Sequence, residues 1–341
     1  MIYLDANASE PLRPEARAAA LAAMGLGNPS SVHASGRAAR AVLEDAREAL
    51  AAYFHATPRD VIFCSGATEA NALAIRALGA GRPVLVGATE HDAVRAVAHD
   101  KITVPVLADG TTDMAALARL LAAHPGALLC LMAANNETGV CHDIAGAAAL
   151  CGAHGALLHV DAVQAACRAK EDWLGMGVAS LAVSGHKMGG PPGAGALIVS
   201  RDREIVADLR GGGQEGRRRG GTQALPAIAG MAACLGGVYD AATIGRYRDE
   251  IELVCTGLGA VVMGVGMALL EQTVYDPRNG QPINGNLADY LVATCADAPE
   301  IDVTFLDYPD YALNSYGARG IGEIGLAGVA PAITAAVYHA T

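Results

Sequence analysis

The sequence predicts an α/β fold in which a mostly parallel sheet carries helices on both faces. Alanine-rich runs with apolar residues at three- and four-residue spacing alternate along the chain with short apolar segments. Parallel strands need long crossover connections, so this alternation favours a helix between one strand and the next. The 341 residues, 52% of them hydrophobic, can bury a large core and indicate two domains rather than one.

The predicted elements follow in chain order. Apolar periodicity predicts helices over residues 14–23, 37–54, 69–78, 113–123 and 144–154. Short apolar runs predict strands over residues 61–64, 83–86, 128–132, 157–160, 181–183 and 196–199. Residues 254–341 then hold 2 basic and 9 acidic residues and 6 of the 10 tyrosines. This change in composition predicts one domain over residues 1–253 and a second, small α/β segment over residues 254–341.

Composition excludes several classes of function. A net charge of −11 would repel nucleic acids and anionic membranes. The longest uncharged stretch, residues 254–270, is too short to span a membrane and predicts a buried helix. The N-terminus lacks the basic start and apolar core of a signal peptide. Eight cysteines without a CxxC pair indicate reduced thiols in a cytoplasmic protein, and the spacing of Cys151 and His154 indicates packing rather than a metal site.

Lys187 is the first candidate site residue. It ends the segment Ser184-Gly185-His186-Lys187, which lies between an apolar strand and a loop rich in glycine and proline. Open α/β sheets bind their ligands at the carboxyl ends of strands, so this lysine is placed where a Schiff-base lysine would lie. Taken alone, the motif more often marks a solvated loop lysine.

Four further strand ends carry polar residues. The segment 65–69 can form a phosphate cradle at a helix start, or a plain N-cap with Thr68 as the cap residue. His91 could stack on a heteroaromatic ring or be a structural histidine, and the asparagines at 135–136 could serve a turn. Asp161 could pair with a protonated ring nitrogen. Together with Lys187, these residues are predicted to lie at the ends of five successive strands.

At these positions the chain resembles the cysteine desulfurases, enzymes of the class V aminotransferase fold that use pyridoxal 5′-phosphate. The matching segments are LDANA (4–8), GNPSSVH (27–33), SGATEAN (65–71), TEH (89–91), NNETG (135–139), HVDAVQ (159–164), SGHK (184–187) and GGGQEGRRRGGT (211–222). The resemblance covers about residues 1–253. It implies a pyridoxal-phosphate transferase fold, like that of aspartate aminotransferase, with a seven-stranded sheet.

The resemblance implies roles around the cofactor ring and the substrate. Lys187 would form the Schiff base and later move protons, and His91 would stack on the ring and assist in acid–base steps. Asp161 would bind the ring N–H, and Gln164 would contact the phenolic oxygen. Asn136 would help to hold the substrate, L-cysteine.

The resemblance also implies a phosphate site. The hydroxyls of Thr68 and Ser184, the imidazole of His186 and the amides of Ala67 and Thr68 would hold the cofactor's phosphate. Thr222 would reach the phosphate in a neighbouring subunit, which implies a homodimer. The basic cluster at residues 217–219 fits either the family's dimer-contact segment or a solvated loop.

The chain departs from the family pattern in its C-terminal part. Cysteine desulfurases attack the substrate sulfur with a cysteine on a mobile loop and so form a persulfide. Cys255 and Cys295, the cysteines beyond residue 253, lack the serine- and glycine-rich context of that loop, and the downstream arginine that binds the substrate carboxylate is absent. The sequence therefore supports cofactor binding more firmly than turnover.

Residues 258–341 instead resemble the extreme C-terminus of the molybdenum-binding subunit of xanthine dehydrogenases. In that family the glutamate of GARGIGE, here Glu323, would activate a metal-bound hydroxide. With only a small part of such a subunit present, the pterin pocket is incomplete and Glu323 is expected to be an ordinary carboxylate. A rearranged gene and a fusion that serves molybdenum-cofactor sulfuration both explain this union.

The sequence thus predicts a cytoplasmic, pyridoxal-phosphate-dependent protein that converts L-cysteine to L-alanine and a persulfide. The sulfur would pass to an acceptor protein for Fe–S clusters or to the molybdenum cofactor. Three alternatives are a catalytically inactive cofactor-binding scaffold or truncated fusion, a molybdenum hydroxylase fragment, and an elimination reaction that yields a keto acid.

Overall fold

The computed structural model describes residues 6–168, 171–200, 203–236, 261–279, 281–282, 329, 332–333 and 335. The chain divides into two compact units, residues 1–238 and residues 239–341. Asp5, Cys255, Cys295 and Glu323 lie outside the described residues. The predicted domain boundary at residues 253–254 also falls there and stays a prediction.

The first unit is built on one seven-stranded sheet. Its strands are β1 (Val61–Cys64), β2 (Val84–Gly87), β3 (Ile102–Val104), β4 (Leu128–Met132), β5 (Leu157–Asp161), β6 (Ser180–Ser184) and β7 (Gly195–Val199). They lie in the order β1-β7-β6-β5-β4-β2-β3. Strand β7 runs antiparallel to both of its neighbours, and the other described pairs are parallel. The predicted mostly parallel sheet is confirmed.

Helices cover both faces of the sheet. They are α1 (Pro14–Ala23), α2 (Ala34–Tyr53), α3 (Ala67–Leu78), α4 (Asp92–Arg95), α5 (Met114–Ala123), α6 (Ile144–Ala153) and α7 (Leu225–Ala233). One core joins α1, α2, α5, α6 and α7 to one face, and a second core joins α3 and α4 to the other. Alternate strand residues supply the two cores: Phe63 belongs to the first and Ile62 to the second.

Three of the described strands and α-helices were not predicted from sequence. Strand β3 has three residues at the edge of the sheet and carries no site motif, so the five strands that end at the site are not all successive in the chain. Helix α4 is a single turn. Helix α7 has Pro226 in its first turn, where proline is tolerated, but Gly230 in its interior, which propensity disfavours; it forms because it packs on α1 and α2. A Cβ on Gly230 would lie 2.5 Å from Pro191, so this packing requires glycine.

In the second unit the structure gives the bounds of helix α8 (Val261–Leu269). This helix confirms part of the helix predicted over residues 254–270, but three of its large apolar side chains are not buried as predicted. The side chains of Met263, Met267 and Leu269 are between 49% and 61% exposed. Among the described helices, none has the length and apolarity that a membrane span needs.

Candidate functional site

A cavity of about 380 Å³ lies at the carboxyl edge of the sheet, where β1, β2, β4, β5 and β6 end. Nine of the ten predicted site residues line it: Ala67, Thr68, His91, Asn136, Asp161, Gln164, Ser184, His186 and Lys187. The tenth, Thr222, is exposed and lies outside this lining. Two further cavities surround the loop at residues 210–220, and the described residues that line them include no lysine or histidine.

The start of α3 forms a cradle for an anion. Gly66 is the N-cap residue in extended backbone, and no side chain caps the helix, so the interpretation of Thr68 as the cap is wrong. The first-turn amides of a helix carry partial positive charge and attract anions. The Ser65 amide, just before the N-cap, donates to Glu69 at 2.7 Å. The cradle therefore offers the amides and hydroxyl of the first turn of α3 to a ligand.

Close backbone contacts bring two other strands against the cradle. A Cβ on Gly195, the first residue of β7, would lie 2.6 Å from the backbone of Gly66. A Cβ on Gly66 would in turn lie 3.9 Å from Ser184 Oγ at the end of β6. Gly195 thus lets β7 lie directly against the Gly66 backbone, and the Ser184 hydroxyl lies near the start of α3. Hydroxyls and amides are the donors that a phosphate binds.

Lys187 ends a short 3-10 turn that follows β6. Its Nζ donates to the backbone carbonyl of Asn7, which also accepts from Gln164 Nε2 at 3.0 Å. The side-chain amide of Asn7 donates to the carbonyl of Asn136 at 3.2 Å. Asn7 thus joins three cavity residues. The sequence analysis gave it no role, although it lies in the matching segment LDANA.

His186 lies beside Lys187 and contacts the N-terminal segment. Its Nδ1 is 3.3 Å from Ser9 Oγ, and its carbonyl accepts from the Glu10 amide at 2.9 Å. Burial lowers the pKa of His186, and the charge of Lys187 lowers it further. The imidazole is therefore neutral at neutral pH and can donate one N–H to an anion.

Asp161 ends β5 and is 6% exposed. Its carboxylate accepts from Asn71 Nδ2 at 2.7 Å and from the Val163 amide at 3.1 Å. Burial raises the pKa of Asp161, while these hydrogen bonds and the charges of His91 and Lys187 oppose the rise. A cationic ring nitrogen is a suitable partner for this buried carboxylate.

His91 is the N-cap residue of α4, and its Nδ1 accepts from the Ala93 amide at 3.1 Å. Because Nδ1 accepts, the neutral ring carries its proton on Nε2. The preceding residue, Glu90, is 3% exposed; its Oε1 accepts from the Met132 amide, and its Oε2 has no hydrogen-bond partner. Burial and the charge of Asp161 raise the pKa of Glu90 to about 8.

The two asparagines after β4 have different roles. Asn135 Oδ1 accepts from the amides of Glu137 and Thr138 at 2.9 Å each, and its Nδ2 donates to the Thr89 carbonyl at 3.1 Å. The turn interpretation therefore holds for Asn135. Asn136, in contrast, lines the cavity.

A buried ion pair anchors the loop at residues 211–222. Glu215 accepts from both terminal nitrogens of Arg47 on α2, at 2.7 and 2.9 Å, and from the Phe63 amide at 3.0 Å. Burial would raise the pKa of Glu215, but the hydrogen bonds from Arg47 hold it below its usual value. Glu215 has a left-handed backbone, with φ 49°. The pair compensates the buried charges and fixes this unusual conformation.

Two of the three arginines at residues 217–219 bond within the chain. Arg219 pairs with Glu69 at 2.7 and 3.1 Å, which connects the loop to the cradle on α3. Arg218 donates to the Arg59 carbonyl at 2.7 Å. The interpretation of this cluster as a solvated loop is therefore wrong for Arg218 and Arg219.

Five of the six described cysteines are buried: Cys64, Cys130, Cys151, Cys167 and Cys234. Burial raises the pKa of Cys151 to about 12. It also raises the pKa of Cys234 to about 12. Cys141 is exposed. Within the described part of the chain, no cysteine lines the cavity.

Two family models match the chain. The model described as aminotransferase class-V matches residues 2–250, and the model described as molybdopterin cofactor-binding domain matches residues 257–299. Both resemblances drawn from the sequence are therefore confirmed.

The relatives of the chain include several cysteine desulfurases. The IscS-like cysteine desulfurase of Mycobacterium tuberculosis is 38% identical over 250 residues, which are 68% of this chain and 64% of that protein. A cysteine desulfurase of Cereibacter sphaeroides is 36% identical over 304 residues, which are 83% of this chain and 78% of that protein. The chain thus spans just under two thirds of the first relative and about three quarters of the second.

Solved structures share this fold. A NifS-like protein from Rickettsia africae superposes with a TM-score of 0.70 at 31% identity, covering 74% of each chain. The structure of SspA in complex with cysteine gives a TM-score of 0.67 at 28% identity, covering 74% of this chain and 78% of that one. Both likenesses extend over most of the present chain.

Proposed function

Because the chain belongs to the class V aminotransferase family and, within it, to the cysteine desulfurases, we propose that it binds pyridoxal 5′-phosphate and acts on L-cysteine. The observation that carries this proposal is the convergence of an amine, a buried carboxylate, an imidazole and an anion cradle on one cavity. These groups match the aldehyde, ring nitrogen, ring face and phosphate of that cofactor.

The residues of the cavity fit the cofactor in their donors and acceptors. The first-turn amides of α3, with Thr68, Ser184 and His186, would hold the phosphate. No side chain caps the start of α3, so its first-turn amides are available to such a group. Asp161 would accept the ring N–H, and Lys187 Nζ would bind the aldehyde carbon.

Around the ring and the substrate, Gln164 would contact the phenolic oxygen, and His91 would stack on the ring face. Asn136 would help to hold L-cysteine. When bound, pyridoxal phosphate supplies an electron-withdrawing ring that stabilises negative charge on the α-carbon of an amino acid.

The chain's own residues would then move protons. Lys187 Nζ would carry a proton to and from the substrate carbons, and the Nε2 proton of His91 is available for a second transfer. In the balanced reaction, a thiol attacks the sulfur of L-cysteine and the carbon–sulfur bond breaks. A sulfur–sulfur bond forms in a persulfide, and the carbon takes a proton to give L-alanine. The two sulfur atoms are oxidised while the carbon is reduced.

We propose that the attacking thiol is either one of the cysteines in residues 254–341 or a thiol from an acceptor molecule. An Fe–S assembly protein and the molybdenum cofactor are the two proposed acceptors, the second because residues 257–299 match a molybdopterin-binding domain. A second candidate function is cofactor binding without turnover. The observation that supports it is that no described cysteine lines the cavity.

Lysine trapping tests cofactor binding directly. The chain contains three lysines, Lys101, Lys170 and Lys187, so a reduced cofactor adduct can be assigned by peptide mass. Protein treated with pyridoxal phosphate and then borohydride should carry the label on Lys187. Lys187→Ala should lose both the label and the visible absorbance band, and Lys101→Ala should keep them. A band retained in Lys187→Ala would refute the assignment.

A product assay separates the alternatives for turnover. L-cysteine is added with and without a small-molecule thiol, and alanine, sulfide and pyruvate are measured in the same sample. Alanine and sulfide in equal amounts support the desulfurase reaction, whereas pyruvate in place of alanine indicates elimination. A visible band that yields no products supports the inactive scaffold.

A further inference from the structure

A chain of buried hydrogen bonds extends from Asp161 away from the cavity. Asn71 Nδ2 donates to Asp161 Oδ2 at 2.7 Å, and Asn71 Oδ1 lies 2.9 Å from His159 Nε2. His159 Nδ1 lies 2.8 Å from Ser180 Oγ. Asn71, His159 and Ser180 are each 0% exposed. Buried polar groups that bond to one another in series restrict each other's orientation.

The position of each proton follows from the two groups at the ends of this series of hydrogen bonds, Asp161 and Ser180. An ionised Asp161 only accepts, so Asn71 must turn its NH₂ group toward it and its oxygen toward His159. His159 Nε2 must then carry the ring proton, which leaves Nδ1 to accept from the Ser180 hydroxyl. Burial lowers the pKa of His159 to about 4, so the ring stays neutral and keeps a single proton.

The fold explains why these groups meet. His159 and Asp161 are two residues apart on β5 and therefore point to the same face of the sheet. Ser180 is the partner of His159 in the β5–β6 register. Asn71 comes from α3, one helical turn after the cradle amides at Ala67 and Thr68. One helix thus holds both the anion cradle and the donor to Asp161.

Other charged or titratable groups also influence Asp161. They are Glu90 and His91 after β2, Cys130 on β4, and Lys187 after β6. Negative charge on Glu90 disfavours an ionised Asp161, whereas positive charge on Lys187 favours it. Asn71 is a neutral donor whose contribution does not depend on the protonation of a neighbour.

We propose that Asn71, oriented by His159 and Ser180, is a positioning residue that holds Asp161 as a carboxylate toward the ring nitrogen of the cofactor. This inference rests on the proposed function. Its consequence is that losing the Asn71 donor weakens cofactor binding most where Asp161 is partly protonated. A purely structural asparagine would leave the pH dependence of binding unchanged.

The test measures cofactor affinity against pH for the wild type and Asn71→Leu. Pyridoxal phosphate is titrated by absorbance, and pyridoxine phosphate, which lacks the aldehyde, is titrated by calorimetry so that Lys187 does not contribute. At pH values where Asp161 is partly protonated, Asn71→Leu should bind roughly ten- to a hundred-fold more weakly than the wild type, the range expected for the loss of one hydrogen bond to a charged group. The pH below which binding weakens should rise by about one unit or more.

Two further variants keep the test decisive. Ser180→Ala removes only the last hydroxyl of the hydrogen-bond series, so it should shift the pH profile of cofactor binding in the same direction by a smaller amount. This variant keeps the test available if Asn71→Leu does not fold. Thr57→Ala removes a cap at the opposite edge of the sheet and should lower stability without moving the profile.

The outcomes separate this inference from the function on which it rests. Wild-type protein that binds pyridoxal phosphate while Asn71→Leu and Ser180→Ala keep its pH profile would overturn the role of Asn71 alone. Wild-type protein that binds neither probe would overturn the proposed function and this inference together. The inference is supported if the pH midpoint of cofactor binding is higher in Asn71→Leu and Ser180→Ala than in the wild type and is unchanged in Thr57→Ala.

Discussion

At the scale of single residues, Glu90 combines nearly complete burial with incomplete hydrogen bonding. Its Oε1 accepts from the Met132 amide, whereas its Oε2 has no hydrogen-bond partner. Asp161 adds a second negative charge nearby, and the pKa of Glu90 rises to about 8. The carboxyl group is therefore mostly protonated in the folded protein at pH 7, although an unfolded chain would release that proton.

This proton makes stability depend on pH. Between about pH 5 and 8 the folded state retains a proton that the unfolded state has lost, so rising pH favours unfolding. The contribution of one such group approaches a fall of about 1.4 kcal/mol per pH unit in the free energy of unfolding. Glu90→Gln should flatten the profile in that range, as measured by urea unfolding of the cofactor-free protein.

Glu48→Gln, a change at an exposed position on α2, is the matched control and should leave the profile unchanged. The pKa of Asp161 is raised, as is that of Glu90, so the free energy of unfolding of Glu90→Gln should still fall somewhat with rising pH. Parallel profiles in wild type and Glu90→Gln would contradict the assignment of the proton to Glu90.

Sequence reasoning located most of the cavity residues but not the residues that hold them in place by hydrogen bonds. Strand-end residues such as Asp161 could be found because a strand's end is visible in its apolar run. Asn7 and Asn71 could not, because their partners lie 180 and 90 residues away. Both asparagines stood in segments already matched to the family. Their roles depend on tertiary contacts that no local pattern contains.

At the scale of elements, the loop at residues 211–222 depends on one buried pair. Arg47 on α2 and Glu215 join that loop to β1, where Arg47 also lies 4.7 Å from the ring centroid of Phe63. Glu215→Gln keeps the shape but leaves the buried Arg47 charge with Glu44 as its remaining carboxylate partner, at 3.1 Å. We expect it to lower the free energy of unfolding by about 2–3 kcal/mol, below the cost of a buried charge with no partner.

An exposed ion pair provides the control for this substitution. Arg76 and Asp208 are about half exposed, so Arg76→Met should cost less than about 1 kcal/mol. Both variants are compared by urea unfolding at one pH. Equal losses from Glu215→Gln and Arg76→Met would show that burial of the Arg47–Glu215 pair has no special weight.

Element prediction succeeded where burial was complete. Strands β1, β4 and β5 are buried at every position, and such continuous apolar runs are typical of parallel sheets. Strand β3 has an exposed middle residue and only three positions, so its pattern was too short to detect. Helix α4 begins at the His91 cap and lasts one turn, which is below the length that periodicity can indicate.

At the scale of the whole molecule, the exposed position of Thr222 bears on the proposed homodimer. Thr222 ends the loop held by Glu215 and lies outside the cavity lining of its own chain. A residue placed in this way could complete the site of a second copy.

Mixed dimers test this arrangement. Lys187→Ala and Thr222→Glu chains should each bind pyridoxal phosphate poorly, the second because a carboxylate would repel the phosphate. In a mixed dimer one site combines both changes and the other has neither, so binding should recover toward one site per two chains. Absorbance titration of co-expressed, doubly tagged dimers measures this stoichiometry. No recovery would argue against a shared site.

The burial of Cys64 and Cys130 affects which thiols the sulfur of the proposed reaction can attack. A persulfide is an electrophile toward thiolates, and a thiol held protonated inside the core is a poor nucleophile. Cys64 and Cys130 lie on strands that end at the cavity, yet burial raises the pKa of both thiols far above neutrality. Sulfur released in the cavity by the proposed reaction would therefore leave without reacting with these two core thiols.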